Sequence, residues 1–341
     1  MAKKSKKVEQ LKQELISSVP AEQRKMITQP ITFSYLNGEM TMMQTRIQTK
    51  IMEKLQERIA KALKRNKEQG FVGDLFTSAD YNKLPDDDTI YLTFEIRYSE
   101  MGVEPAHYDD IDRAVKAMQG IVYEKEATDE KGASYTDRTV VFNRVRIPNK
   151  DKSVGDIERR DSVKLLMLPG VARDLFNLIP YQQYLRDAVS LFSSGYTGRI
   201  YLLINANKGL GTWVCPYEKL RRILLTTWDE RKKDWVVDKY KEIGDFKKRV
   251  LEPAKKEILE VKDRVDCTFD YEFQYPAGKK RGTPEAIIFH IHITDLGRNI
   301  KQRQLEAKDA IEQRKGRGLP HPVKLEAPTS APPEQDMGEV W

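Results

Sequence analysis

The chain has 341 residues, 39% hydrophobic and 33% charged, enough for two ordinary domains or one large one. That mix excludes wholesale disorder, and no run of about 18 apolar residues occurs, so neither a transmembrane helix nor a membrane partner is expected. The 59 Lys and Arg against 52 Asp and Glu leave +7, an excess concentrated in residues 1–26 and 217–293. A local basic excess on a neutral body suits a face that binds a polyanion.

Residues 1–26 read as a basic arm, with a helix over Val8–Ser17 stopped near Pro20. The arm has no apolar core, so no secretory signal is expected. Ile31–Tyr35 alternates like a strand and Asn37-Gly38 marks a turn. From Thr41, a candidate N-cap, Met43, Ile47, Ile51, Leu55, Ile59 and Leu63 recur every fourth residue. That spacing predicts one stripe of a long helix ending near Asn66–Gly70. Its opposite face carries Arg46, Lys50, Lys54, Arg58, Lys61, Lys64 and Arg65, which reads as a solvated face before it reads as a phosphate contact.

Strands are expected over Thr89–Tyr98, Gly120–Ala127, Thr139–Ile147 and Lys164–Leu168. Helices are expected over Tyr108–Met118, Ala172–Ile179 and Tyr181–Phe192. Next come a helix through Gly198–Asn205, a short strand at Thr212–Val214 and a helix over Tyr217–Leu225. A charged insert with Trp228 and Trp235 follows. Asp245 then caps a helix over Phe246–Val261. Val265–Tyr275 alternates without a break, and a turn of Pro276–Pro284 leads into a second strand, Glu285–Ile293. Helix, helix and β-hairpin is the order of a winged helix. A charged helix is expected over Asn299–Arg314, and the Pro-rich stretch 319–333 reads as disordered.

The Phe246–Val261 helix puts Phe246, Val250, Leu251, Ala254, Ile258 and Val261 on one side. Lys248, Arg249, Glu252, Lys255 and Lys256 lie opposite, with Lys247 on the flank. Such a helix suits a major groove, where cations neutralise phosphates and reach guanine edges. Glu252 could accept from a cytosine amine. Pro253 removes one backbone hydrogen bond, so a bend is expected there. The hairpin carries Lys279, Lys280 and Arg281 at its tip, placed to follow a phosphate backbone.

Other constellations point less far. His290-Ile291-His292 puts two imidazoles on one face of a strand, like the metal pair of rolling-circle nucleases and relaxases. No tyrosine follows Tyr275, and only His107 and His321 remain as a third ligand, so an exposed wing strand is the preferred account. Asp109 and Asp110 stand at a helix start, where acids complement the dipole. Asp86-Asp87-Asp88 reads as an acidic turn. Gly209-Leu210-Gly211 is too short for a phosphate loop, and neither a P-loop nor a G-x-S-x-G elbow occurs. No catalytic residue, metal or cofactor is expected, and the protein is not expected to be an enzyme. Cys215 and Cys267, the only cysteines, lack metal-ligand spacing and fit a reducing cytoplasm.

Ser193–Leu203, Tyr217–Leu224 and Tyr240 with Asp245–Ile258 resemble three blocks of the iteron-type plasmid replication initiators, Pro253 included. The resemblance covers about residues 27–293 and is specific after 190. It implies an α+β fold of two tandem winged helices related by a pseudo-two-fold. Residues 27–190 would dimerise and contact DNA backbone, residues 191–297 would read base edges, and 298–341 would form a charged helix and tail. It further implies binding to double-stranded origin DNA with direct repeats, and a homodimer in equilibrium with monomer. Repression of the protein's own promoter and contact with host replication proteins belong to the same implication. A His290/His292 nicking enzyme and a plain winged-helix repressor are the alternatives. The long first-domain strands and the insert Thr226–Val237 depart from the family pattern.

Overall fold

In the computed structural model, which describes residues 26–69, 74–148, 161–177, 180–229, 231–279 and 281–316, the four-residue apolar repeat folds as α1, Met42–Gln69. Thr41 caps it. The Gln44 N–H donates to Thr41 Oγ1 at 3.3 Å, and the Thr41 N–H donates to Gln44 Oε1 at 2.7 Å, a reciprocal capping box. Ile47, Ile51 and Ile59 are buried, but so are Thr45, Gln48, Thr49 and Met52. The N-terminal half of α1 is covered on more than one side, so its buried arc is wider than the stripe. Its basic face is largely used within the protein. Lys54 meets Glu100 at 2.7 Å, Arg58 meets Asp80 at 2.7 Å, and Lys61 meets Glu57 at 2.6 Å.

Two elements around this helix differ from the expectation. The strand is β1, Met26–Pro30, and Ile31–Ser34 is a 3-10 turn. Its partner is β8, Tyr181–Leu185, in a stretch that reads locally as helix. The pairing joins segments about 150 residues apart. Buried Gln29 and Gln182 both donate to Ser34 Oγ, at 3.0 and 2.8 Å, so the NH2 groups of two amides that look like surface residues find an acceptor inside.

A four-stranded sheet runs in the order β2 (Tyr81–Leu84), β3 (Asp87–Arg97), β7 (Ser162–Met167), β6 (Arg144–Arg146). The expected strand at 139–147 is divided. β5, Ser134–Val140, pairs with β4, Val122–Thr128, while β6 turns away to join β7. The intervening turn is shorter than expected, because Asp129 Oδ1 accepts the N–H groups of Lys131 and Ala133. Helix α2, Tyr108–Ala117, carries Asp109 and Asp110 in its first turn. Helices α3, Pro169–Leu175, and α4, Arg186–Leu191, complete this part.

The acidic turn is an anchor for β6. Arg144 donates to Asp87 at 2.7 Å and to Asp86 at 2.9 Å, and Arg146 also reaches Asp86. The backbone N–H of Thr89, then Tyr91 and Arg144, hold the Asp87 carboxyl down at about 2. A depressed carboxyl adds stability above its ordinary range and loses it as pH falls through the folded value. The difference between the parent and Asp87→Asn should therefore shrink from about pH 4 towards 2. Urea unfolding across that range checks it.

The remainder is ordered helix, strand, helix, helix, hairpin: α5 (Gly195–Asn207), β9 (Thr212–Pro216), α6 (Tyr217–Leu225), α7 (Ile243–Phe246) continuing into α8 (Glu252–Glu260), β12 (Cys267–Gln274) and β13 (Ala286–Ile293). Its sheet order is β12-β13-β9. The insert between α6 and α7 is a small hairpin, β10 (Thr227–Asp229) with β11 (Asp234–Val236), and Trp228 meets Trp235 edge-on across it. Cys215 and Cys267 are free and buried, and burial pushes the Cys215 thiol up to about 12.

Helix α5 seats against the start of α1. A Cβ on Gly195 would stand 2.0 Å from the Met40 carbonyl oxygen. One turn later Arg199, 1% exposed, donates to the carbonyls of Leu36 and Ser34 and to Met40 Sδ. The described residues up to Arg298 form one unit. Helix α9, Asp295–Gly316, continues into a second unit that begins at Asn299. The arm helix at Val8–Ser17 and the Pro-rich stretch at 319–333 lie outside the described residues.

Candidate nucleic-acid interface

The helix that carries the predicted contacts starts at Ile243, three residues earlier than expected. Asp245 thus sits in its first turn, where a carboxylate complements the dipole, rather than at the cap. Pro253 produces no break. Lys247–Leu251 forms a π turn in which the Glu252 N–H donates to Lys247 O, five residues back. Proline has no N–H to offer the preceding turn, and the wider turn gives its ring room. The apolar side then runs Phe246, Val250, Leu251, Ala254 and Ile258, all fully buried. Phe246 meets Tyr217 of α6 edge-on at 5.6 Å.

The opposite side divides into held and free groups. Tyr271 of β12 donates to Glu252 Oε1 at 2.6 Å, and burial followed by this bond raises the phenol's pKa. Lys255, half-buried, is ion-paired with Asp270 of the same strand. Lys247 lies 3.9 Å from Glu252, and Lys256 lies 3.8 Å from Glu260, distances worth little at an exposed surface. Lys248 and Arg249 are exposed and make no hydrogen bond or ion pair among the described residues. Of the wing cations, Lys279 and Arg281 are exposed and unpaired among the described residues, and Lys280 lies outside them. The tip is shaped by Gly278 at φ 78° and Gly282 at φ 103°, where a side chain would be strained.

Sequence reasoning places Glu252 and Lys255 with the free cations, but β12 holds both. Tyr271 and Asp270 were missed because alternation alone does not show which strand residues reach a neighbouring helix. Removing the phenol oxygen should test how much that clamp matters. Tyr271→Phe is expected to cost about 1 kcal/mol in urea unfolding and to leave the fold intact.

A second buried network was also invisible. Tyr201 donates to Asp266 Oδ1 at 2.6 Å, and Lys208 bridges Asp266 Oδ2 and the Gln183 carbonyl, each at 2.6 Å. It fixes α5 to the segment entering β12.

His290 and His292 point to the outer face of the wing sheet. His290 Nε2 lies 3.4 Å from Glu272, and His292 Nε2 lies 3.5 Å from Asp270. Among the described residues no three His, Cys, Asp or Glu groups converge as a metal set. A cleft of about 770 Å³ lined by Tyr35, Phe76, Tyr81 and Tyr123 contains none of the predicted contact residues.

These elements define a mixed α+β protein with a winged helix whose recognition position is exposed and cationic. Residues 218–291 match the family model described as initiator Rep protein, WH2. The resemblance read from the sequence is thereby shown for this winged helix, about a fifth of the chain. No curated protein matches. Among solved structures, a selenomethionine form of domains 2 and 3 of RctB aligns at 14% identity, covering 59% of this chain and 74% of that one, with a TM-score of 0.31. Another structure of RctB domains 2–3 aligns at 10% identity over 59% and 75%, with a TM-score of 0.29. No described helix is long and apolar enough to cross a membrane.

Proposed function

We propose that this protein is a plasmid replication initiator that binds repeated sites in double-stranded origin DNA. The observation that carries the reading is the pair of exposed cations Lys248 and Arg249, unpaired among the described residues, on the recognition helix of a segment matching initiator Rep proteins. The helix enters the major groove, and Lys279, Lys280 and Arg281 follow the backbone beside it. Residues 191–297 form the reading domain. Residues 27–190 form a second winged helix, related to the first by a pseudo-two-fold, that contacts backbone and dimerises. Residues 1–26 add affinity through phosphates, and 298–341 are a tail outside the reading domain.

In this reading the monomer starts replication with host replication proteins, and the homodimer represses its own promoter. The protein works in the cytoplasm on plasmid DNA and has no chemistry of its own. Footprinting on the origin of its plasmid tests the proposal. Protection of tandem direct repeats, spaced by about two helical turns, is the expected result. Protection of the promoter alone, with replication of an origin plasmid lacking the gene, would leave only a repressor. Nicking of supercoiled origin DNA with Mg²⁺, lost in His290→Ala, would instead make it an enzyme.

A further inference from the structure

The DNA-binding reading does not use the His290–His292 pair, yet the fold builds a compact charge cluster around it. Strand pairing sets Asp270 directly opposite His290, with Thr268 opposite His292. On the other side Thr212 of β9 faces His290 and adds no charge. Both imidazoles are open to solvent, and each has its Nε2 within 3.5 Å of a carboxylate. Among the described residues, the charged groups paired on this face are Asp270 and Glu272 from β12, and Lys255 from α8. Asp295, at the start of the helix after β13, is taken by Arg298.

Asp270 is shared. One oxygen pairs with Lys255 of the recognition helix, and the other faces His292. With neutral imidazoles this face holds two carboxylates against one ammonium, beside a surface that must approach phosphates. Two imidazolium groups reverse the sign. An imidazolium at His292 also competes for Asp270, which lets the Lys255 ammonium turn outward.

We propose that the Asp270–Glu272–His290–His292 cluster is a proton-operated control on DNA binding. Protonation removes the acidic charge beside the recognition helix and releases Lys255 to a phosphate. This rests on the DNA-binding reading above and adds its regulation. Histidine is the side chain whose charge ordinarily changes between pH 5 and 8, which sets the pH values of the test. The Asp270 carboxyl, held down first by its bond to Lys255, stays ionised throughout and remains available to the imidazole.

The test is fluorescence anisotropy of the full chain on origin-repeat DNA at pH 8 and pH 6, each at two salt concentrations. The parent should bind about tenfold tighter at pH 6, with a salt slope steeper by about one, the value for one added phosphate contact. His290→Gln with His292→Gln should keep the parent affinity at pH 8 and lose the gain at pH 6. Asp270→Asn should bind at pH 8 nearly as the parent does at pH 6. An equal pH response in the parent and the double variant overturns the proposal, because other groups then titrate. A pH-independent affinity in the parent overturns it too, while leaving the DNA-binding reading standing. No binding at either pH removes that reading itself. Circular dichroism at both pH values identifies a variant that has failed to fold, and Asp270→Asn then decides the outcome.

Discussion

Gly195→Ala should cost about 3–5 kcal/mol of folding stability, enough to unfold many domains of this size. The added Cβ would stand 2.0 Å from the Met40 carbonyl oxygen and 2.9 Å from the Thr41 carbonyl carbon. Both are backbone atoms, so no side chain can swing aside. Relief requires the segment entering α1 to move away from α5. That movement pulls the carbonyls of Ser34 and Leu36, and the Met40 sulfur, from Arg199. Arg199 is fully enclosed with no carboxylate bonded to it among the described residues, and burial has pushed its guanidinium down to about 10. It depends on those acceptors, so overpacking and the loss of charged hydrogen bonds add together. Urea unfolding of Gly195→Ala beside Gly209→Ala measures this. Nothing lies within 4 Å of a Cβ built on Gly209, so that change should stay within about 0.5 kcal/mol. Equal losses in the two would mean that the close approach does not constrain the fold.

The same residues show what a sequence can and cannot disclose. The α6 helix reads correctly at both ends, Tyr217–Leu225, because Pro216 precedes it and its apolar period is clean. The wing strands read within two residues, since unbroken alternation over Val265–Tyr275 has no helical counterpart. The β1–β8 pair does not read, because buried glutamines interrupt the apolar pattern of both strands and each finds its partner only in the folded chain. Arg199 looks like a surface residue on any pattern of polarity, and nothing local announces the three acceptors around it. At the interface the basic helix and the wing were legible as composition. The division of its polar face was not, because Tyr271 and Asp270 act from another element.

That division sharpens the expectation for DNA. Arg249→Ala should lose about 1–3 kcal/mol on the cognate repeat and much less on scrambled DNA. Its planar fork can pair with a guanine edge in a bidentate way, and no group of the protein competes for it among the described residues. Lys248→Ala is expected to fall short of this, since an ammonium is a point charge without a fork. Glu252 and Lys255 are already engaged by β12, so their alanine variants should act through the seating of the helix and affect both DNAs. Lys279 and Arg281 lie beside Gly278 and Gly282 at the tip, and in the proposed reading the wing cations contact phosphates. Neutralising Lys279, Lys280 and Arg281 should weaken cognate and scrambled DNA alike, and lower the salt slope by about one per charge. Titrations of Arg249→Ala and of the triple wing variant, on both DNAs at two salt concentrations, separate helix reading from wing reading. Specificity lost only in the wing variant would place base recognition in the hairpin and turn the helix into a backbone contact. Unchanged affinity in both would take this face out of DNA binding altogether, because no other exposed set on the 243–260 helix combines an arginine fork with free ammonium groups.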